Sequence, residues 1–323
     1  LALDILRGIT IAGMILVNNP GTWGSIYAPL EHAQWNGLTP TDLVFPFFMF
    51  IMGISMFIAL RKFNFEASSS AVRKIVKRTV LLYLVGLAIA WFSLFCRTWN
   101  GLSGEEITFW QRLGQSANNF SNIRILGVIP RLAICYGVAS LIVITLKHKF
   151  IPYLIAILLI GYFILLMVGN GFAYDTTNIL SIVDHRILGE AHMYKDNGIE
   201  PEGILSTIPA IAHVLLGFYI GKIMMETKDI HAKIERLFIF GAILTFCGFL
   251  LSYGCPINKK IWSPTFVLTT CGLGSTLLAL LIWIIDVKGY KRWSRFFETF
   301  GVNPLFIYVM AAFLSIILGN ILL

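Results

Sequence analysis

Charged residues are scarce in this sequence. Asp, Glu, Lys and Arg make up 13% of its 323 residues, whereas they supply about a quarter of an ordinary soluble domain. Hydrophobic residues make up 57% and collect in long runs. This composition excludes an ordinary soluble domain and predicts an all-α polytopic integral membrane protein. The net charge of +8 therefore implies no nucleic-acid partner, and membrane lipid is the expected surrounding.

Metal-ligand patterns and internal repeats are also missing. The five cysteines stand at positions 96, 135, 247, 255 and 271, and no two have the close spacing of a zinc site. His185 and His192 are seven residues apart, which does not place two ligands one helical turn apart. We therefore expect no metal. The apolar segments do not match in two halves as in many transporters, which weakens a carrier function without excluding it.

Nine apolar segments approach the roughly 20 residues that a helix needs to cross a bilayer. They lie at about 3–19, 42–60, 78–96, 125–146, 150–169, 204–225, 236–253, 264–286 and 300–322. The connections after the even-numbered segments carry 16 of the 25 lysines and arginines, and those after the odd-numbered segments carry seven. The positive-inside rule then predicts a cytoplasmic N-terminus and an outward-facing first connection.

That first connection is unusually polar. It contains several hydrogen-bonding side chains just before the second segment, namely His32, Gln34, Trp35, Asn36, Thr39 and Asp42. Such a density is more than a simple link between helices needs, and it predicts a functional site at the membrane surface. A neutral imidazole is able to take a proton near neutral pH, so His32 is a candidate base or nucleophile, although many loop histidines have no such role.

Other polar residues interrupt the apolar segments. Arg7 has Asp4 one helical turn away, which favours either a local ion pair or a ligand site. Arg131 has no nearby acid in the sequence, so we expect it to bind an anionic ligand group. Asn18 ends the first segment and suits either a hydrogen-bonding role at the site or a helix cap. His213 lies inside the sixth segment, as a proton relay or as a satisfied buried side chain.

Six blocks of sequence, read together, resemble one family. They are LDILRGITIAGMILVNN, HAQWNGLTPTDLVFPFFMFIMGIS, GVIPRLAICY, EPEGILSTIPAIAHVLLGFYIGK, KKIWSPTFVLTT and GVNPLFIYV. In this order they are similar to the transmembrane acyltransferases typified by heparan-α-glucosaminide N-acetyltransferase. The block beginning WNGLTPTDLVFPFF is the most specific. The resemblance covers nearly the whole chain, as a single transmembrane acyltransferase domain over 1–323, and implies a tenth helix beyond Leu323.

The resemblance implies an acetyl-CoA-dependent enzyme of the bacterial inner membrane. It would move an acetyl group from cytoplasmic acetyl-CoA to the amine of glucosamine or of a terminal glucosaminide in the periplasm. By position in the family motifs, His32 would be the catalytic histidine and Asn18 its partner. We expect Arg7 and Arg131 to bind the donor, and Trp35, Asn36, Asp42 and His192 to bind the amino sugar. A homodimer is a further expectation.

The sequence leaves the route and the acceptor open. The acetyl group either rests on His32 as an acyl-imidazole, or His32 deprotonates the sugar ammonium so that the amine attacks the thioester directly. Asn18 would stabilise the tetrahedral oxyanion. An O-acetyltransferase of cell-envelope glycans and a sugar transporter are the alternative functions.

Overall fold

The polypeptide folds into a bundle of membrane-spanning helices. A computed structural model describes residues 1–21, 24–194 and 196–319, and every regular element in these ranges is helical. The α-helices are α1 (Ala2–Asn18), α2 (Val44–Arg61), α3 (Ser69–Gly101), α4 (Phe109–Ala117), α5 (Val128–Thr145), α6 (Ile151–Val168), α7 (Ile179–Ile187), α8 (Thr207–Glu226), α9 (Ile230–Leu251), α10 (Pro264–Ile282), α11 (Ser294–Val302) and α12 (Pro304–Ile317). The predicted all-α polytopic membrane fold is confirmed.

Seven of the described helices are long and apolar enough to cross a membrane, namely α2, α3, α5, α6, α8, α9 and α10. The bent pair α11 and α12 would make an eighth span. At 17 residues, α1 lies at the short end of spanning length. Each of the nine predicted segments contains at least part of a helix. Among the described residues, however, at most eight spans are long and apolar enough to cross a membrane.

The last predicted segment, 300–322, is not one straight helix. Between α11 and α12 the chain bends by 87°. Asn303 leaves the helical conformation, with φ −128° and ψ 62°, and Pro304 begins the next helix because its missing N–H is tolerated only in a first turn. The end of this predicted segment, 320–322, lies outside the described residues.

Four helices form the centre of the bundle. Most side chains of α2, α5, α8 and α10 are buried, whereas few of those of α3, α6 and α9 are, as expected of helices that face lipid. Glycines bring α2 and α8 into close contact, because a Cβ at Gly53 would lie 2.2 Å from the Val214 carbonyl oxygen. Small residues commonly permit such approach between membrane helices.

The helix starts define two ends of the bundle. Pro46 near the start of α2 is hydrogen-bonded to His213 in the first turns of α8. Arg131 near the start of α5 is hydrogen-bonded to Ser206, just before α8. At the opposite end of the bundle, the start of α1 lies against the end of α2, where Arg7 donates to the Ser55 hydroxyl at 2.8 Å. We call the end where α2, α5, α8 and α10 begin the site end.

Candidate active site

His32 and Asp42 form a hydrogen-bonded pair at the site end. The distance between His32 Nδ1 and Asp42 Oδ1 is 2.6 Å. The Asp42 side chain is 1% exposed, whereas that of His32 is 47% exposed. Because an ionised carboxylate only accepts hydrogen bonds, Nδ1 carries the proton in the neutral ring, and Nε2 keeps a lone pair. The pair thus supplies an oriented, accessible nitrogen base.

A capping box positions Asp42. The turn Pro40–Leu43 is capped by Thr39, and the Asp42 carboxylate accepts a hydrogen bond from the Thr39 backbone N–H at 3.1 Å. The pattern of a threonine followed three residues later by an acid is typical of this motif. The same Asp42 oxygen, Oδ2, accepts from the Ala33 backbone N–H at 3.1 Å. Asp42 is therefore held by protein groups, which favours an orienting role over the substrate contact expected of it.

Lys259 completes this group from a distant part of the sequence. It lies on the connection between α9 and α10, and its Nζ is 3.1 Å from His32 Nδ1, 3.5 Å from Nε2 and 3.6 Å from Asp42 Oδ1. Burial lowers the pKa of the Lys259 ammonium, while Asp42 opposes that shift. From the sequence, Lys259 had no predicted role in the site and was only one of the basic residues of the connections, although it belongs to the KKIWSP block.

The connection that carries Lys259 is fixed to the loop that carries His32. The backbone N–H of Gly37 donates to the Ile257 carbonyl at 2.8 Å, and the Asn258 side-chain amide donates to the Asn36 side-chain oxygen Oδ1 at 3.1 Å. Gly37 has a φ of +132°, a conformation open mainly to glycine. The glycine of the WNGL motif thus allows the two connections to meet.

An aromatic pair lies beside this loop. The Trp35 and Tyr174 rings stack with centroids 4.5 Å apart, and the Trp35 indole N–H donates to the Phe172 carbonyl at 2.9 Å. Lys260 forms an ion pair with Asp196 at 2.8 Å and donates to the Tyr174 hydroxyl at 2.9 Å. Although burial disfavours its charge, these contacts raise the pKa of Lys260. We call Trp35, Tyr174, Lys260 and Asp196 the aromatic shelf.

Arg131 is fully buried near the same end of the bundle. Its Nη2 donates to the Gly203 carbonyl at 3.1 Å and to the Ser206 hydroxyl, and its guanidinium lies over the Trp262 ring at 5.2 Å. Within the described part of the chain it has no ion-pair partner, and its Nε and Nη1 atoms make no hydrogen bond. The expectation that Arg131 binds an anionic ligand group stays a prediction.

Carboxylates are buried close to Arg131. Arg124 is paired with Glu200 and Glu202. Asp184 accepts from the Ile204 backbone N–H at 2.9 Å through Oδ1, while its buried Oδ2 has no hydrogen-bond partner among the described residues. Burial raises the pKa of the Asp184 carboxyl to about 6. The Asp184 carboxyl therefore changes its protonation state under mildly acidic conditions.

Arg7 lies at the opposite end of the bundle. It donates to Asp4 at 3.0 Å and to the Gly301 carbonyl at 3.2 Å, so the local ion pair weighed from the sequence is present. It also lines a cavity of about 620 Å³. The charged and polar residues around this cavity are Asp4, Arg7, Ser55, Arg78, Lys233 and Asp286. Three cations against two acids make this cavity suitable for an anion.

Asn18 and His192, both predicted to act with His32, have no described contact with it. Asn18 is the last residue of α1 and is exposed. His192 lies in the turn Glu190–His192, where its Nδ1 is 2.7 Å from the Ile123 carbonyl oxygen. Thus, over the residues described, the structure brings His32 together with Asp42 and Lys259 rather than with Asn18 or His192. No metal-binding group of His, Cys, Asp and Glu occurs within the same residues.

Comparison with known proteins gives the chain a family. A family model described as a domain of unknown function, DUF5009, matches residues 1–183. The human (Homo sapiens) heparan-alpha-glucosaminide N-acetyltransferase is 28% identical over 354 residues, covering 95% of this chain and 52% of the human protein. The mouse (Mus musculus) protein of that name is 27% identical over 364 residues, with the same coverage.

The chain spans about half the length of the curated relatives it matches. The resemblance drawn from the six sequence blocks is confirmed, since these relatives bear the name of the family that the blocks indicated. With more than half of its residues matched by the family model, the chain belongs to the DUF5009 family and is homologous to heparan-alpha-glucosaminide N-acetyltransferase.

Proposed function

We propose that this protein is a transmembrane acetyltransferase. It takes an acetyl group from acetyl-CoA at the end of the bundle that holds Arg7 and transfers it to the amine of glucosamine or of a terminal glucosaminide at the site end. The observation that carries the proposal is the exposed His32 imidazole held at 2.6 Å by the buried carboxylate of Asp42. The names of the homologous proteins support the choice of reaction.

His32 Nε2 is the proposed general base. With the Nδ1 proton donated to Asp42, Nε2 accepts a proton from the sugar ammonium, as in the arrangement of an aspartate behind a catalytic histidine. The freed amine attacks the thioester carbonyl, the carbon–sulfur bond breaks, and coenzyme A leaves as the thiol after it gains a proton. The acyl-imidazole route uses the same nitrogen as nucleophile and adds one acetylated intermediate.

The negative charge on the tetrahedral intermediate needs a donor. Lys259 places an ammonium 3.5 Å from His32 Nε2, next to where the reacting carbonyl would lie. A fixed cation in a partly dehydrated site stabilises developing negative charge strongly. Lys259 is therefore proposed for the role assigned to Asn18 from the family resemblance, and Asn18 remains a candidate beside it.

The two ends of the bundle suit different substrates. The cationic cavity around Arg7 would hold the phosphates of acetyl-CoA, with Arg78 and Lys233 as further cations. At the site end, the aromatic shelf offers ring faces for the apolar side of a sugar, and Asn36 and His192 offer hydrogen-bonding groups. Arg131 lies at the site end, which favours a contact with the acyl part of the donor over its phosphates.

A thiol-release assay tests the proposal. Purified protein with acetyl-CoA and glucosamine should release free thiol and yield a product heavier than glucosamine by one acetyl group. An amide product survives mild base, whereas an ester from an O-acetyltransferase is hydrolysed. Uptake of labelled glucosamine into vesicles without thiol release would identify a sugar transporter instead and would contradict the proposal.

A further inference from the structure

A buried polar cluster lies next to the His32 group, and of its three polar members only Arg131 has a role in the mechanism above. It consists of Arg131, His213 and Trp262, with Phe45 and Phe266 as apolar walls, and we call it the Trp262 cluster. The Trp262 ring is 5.8 Å from the His213 ring, and the Arg131 guanidinium lies over it at 5.2 Å. The three polar side chains are at most 1% exposed.

Each of these side chains retains an unused polar atom. Arg131 Nε and Nη1, Trp262 Nε1 and His213 Nδ1 have no hydrogen-bond partner among the described residues. Buried polar atoms are nearly always paired, because an unpaired one costs about 1–3 kcal/mol. Four such atoms on three neighbouring side chains are available to hydrogen-bond with a group outside the chain.

The donor and acceptor pattern defines that group. Arg131 and Trp262 only donate. His213 Nε2 is 2.9 Å from the Pro46 carbonyl oxygen, and because a carbonyl only accepts, Nε2 carries the proton and the neutral ring offers Nδ1 as an acceptor. The cluster therefore matches a ligand with one carbonyl oxygen and one N–H. A secondary amide has both, whereas a phosphate or carboxylate has no hydrogen for His213.

The cluster is also in the right place for such a ligand. The Trp262 backbone N–H donates to the Lys259 carbonyl at 3.1 Å, so the cluster adjoins the turn that carries the lysine in contact with His32. On α2, Pro46 lies about 13 Å along the helix from Ser55, which lines the Arg7 cavity. The pantetheine arm of acetyl-CoA carries two secondary amides between its phosphates and its sulfur. Phosphates, amides and sulfur thus follow the order of the Arg7 cavity, the Trp262 cluster and His32 along the bundle.

We propose that the Trp262 cluster binds a secondary amide, with the pantetheine arm of the donor as one source and the acetamido group of the product as the other. This assignment rests on the proposed acetyl transfer. The carbonyl of the amide accepts from Arg131 and Trp262, and its N–H donates to His213 Nδ1. Phe45 and Phe266 exclude water from the contact.

Calorimetry on the purified full chain tests this assignment. The ligands are coenzyme A, which has the amide arm, adenosine 3′,5′-bisphosphate, which lacks it, and N-acetylglucosamine. The variants are Trp262→Phe, which keeps the ring and removes the donor, and His213→Met, which removes the acceptor. Thr269→Val is the matched control, because Thr269 Oγ1 is equally buried and unpaired but faces α9 near Gly248.

Both cluster variants should weaken coenzyme A binding about tenfold, the effect of one lost hydrogen bond of about 1.4 kcal/mol. They should leave the bisphosphate affinity unchanged, and Thr269→Val should leave both unchanged. A loss confined to N-acetylglucosamine supports the amide site and assigns it to the product. Unchanged affinity for both amide ligands, or no binding of either by the wild type, overturns the assignment.

The result is separable from the test of acetyl transfer. Coenzyme A binding that depends on Trp262 but comes without thiol release would contradict the enzyme and leave the amide site standing. Thiol release by the wild type, with unchanged ligand affinities in both variants, would support the enzyme and overturn the amide site. If His213→Met fails to fold, Trp262→Phe alone decides, since it keeps the aromatic packing.

Discussion

Asp42 gives His32 its direction. The carboxylate fixes the proton on Nδ1, and it is itself fixed by the capping box at Thr39 and by the Ala33 backbone N–H. The loop thus holds one tautomer of an otherwise exposed ring. This dependence predicts that the Asp42 carboxylate matters to catalysis by orienting His32.

Asp42→Asn should therefore lower turnover by roughly 10² to 10⁴ while leaving donor affinity nearly unchanged. The asparagine oxygen still accepts from Thr39, but its amide N–H₂ favours the wrong histidine tautomer. Steady-state rates with acetyl-CoA and glucosamine measure the effect. Asp175→Asn is the control, since Asp175 lies on the exposed loop before α7 and its side chain accepts hydrogen bonds, among the described residues, only from Thr177. Equal rates for Asp42→Asn and the wild type would refute the orienting role.

Asp184 links stability to pH. Its pKa is about 6 in the folded chain, against about 4 in an unfolded one, so between these values the folded chain holds the extra proton. The stability contributed by the protonated acid is therefore fully present below about pH 4. It is lost as the pH rises through about 6, which lowers the free energy of unfolding by up to about 3 kcal/mol.

Asp184→Asn should remove this cost. Thermal unfolding in detergent is expected to show a higher midpoint for the variant at about pH 8, with the difference shrinking toward about pH 5. Glu200 and Glu202 face the same region and are paired with Arg124. Both are present in the variant and in the wild type, so their titration affects the two proteins alike. A difference of the same size at both pH values would mean that titration of Asp184 is not its cause.

Individual residues were predicted unevenly from the sequence. His32 and the polar loop stood out because a helix connection rarely needs so many hydrogen-bonding groups. Lys259 did not, because 227 residues separate it from His32 and only the folded bundle brings the two connections together. Nor did the sequence predict that Asp42 would face His32, since that contact depends on how the turn Pro40–Leu43 caps α2.

At the scale of the helix, apolar length was a good guide and helix ends were not. α3 begins at Ser69, nine residues before the predicted segment, since basic residues in its first turns extend the helix beyond the apolar run. The predicted segment 300–322 is broken at Pro304, which apolar content alone does not reveal. Runs of apolar residues report burial in lipid, while bends and caps depend on local backbone chemistry.

The close packing of α2 on α8 predicts a strong effect of a small change. Gly53→Ala places a Cβ 2.2 Å from the Val214 carbonyl oxygen, so the helices must separate, at a cost of about 1–3 kcal/mol. Gly161→Ala is the matched control, because a Cβ there meets nothing within 4 Å. Thermal midpoints should fall for Gly53→Ala only. A fall of equal size in both would show that helix propensity or lipid contact, not packing, decides stability.

For the whole molecule, the uneven distribution of basic residues predicts an orientation. Position 32 should face the periplasm and position 73 the cytoplasm, because 16 of the 25 lysines and arginines lie on the connections of the same side as Arg73. Both residues are exposed. Single cysteines at these positions, in a cysteine-free background, are to be labelled with a membrane-impermeant maleimide. Labelling of both from one side would contradict the orientation.

The orientation gives the two ends of the bundle their proposed tasks. A donor made in the cytoplasm would meet the cationic cavity around Arg7, and the acceptor would meet His32 on the far side. The acetyl group would then cross the bilayer inside the bundle, past the Trp262 cluster. Both proposed routes of acetyl transfer depend on the imidazole nitrogen at position 32.

Turnover by His32→Ala is therefore the most direct test. With purified protein, acetyl-CoA and glucosamine, the variant is expected to bind coenzyme A as tightly as the wild type and to turn over about 10² to 10⁴ times more slowly. Radiolabelled acetyl trapped on the wild type without acceptor, and absent from the variant, would select the acyl-imidazole route. Near-normal turnover by His32→Ala, with folding intact, would contradict the central claim.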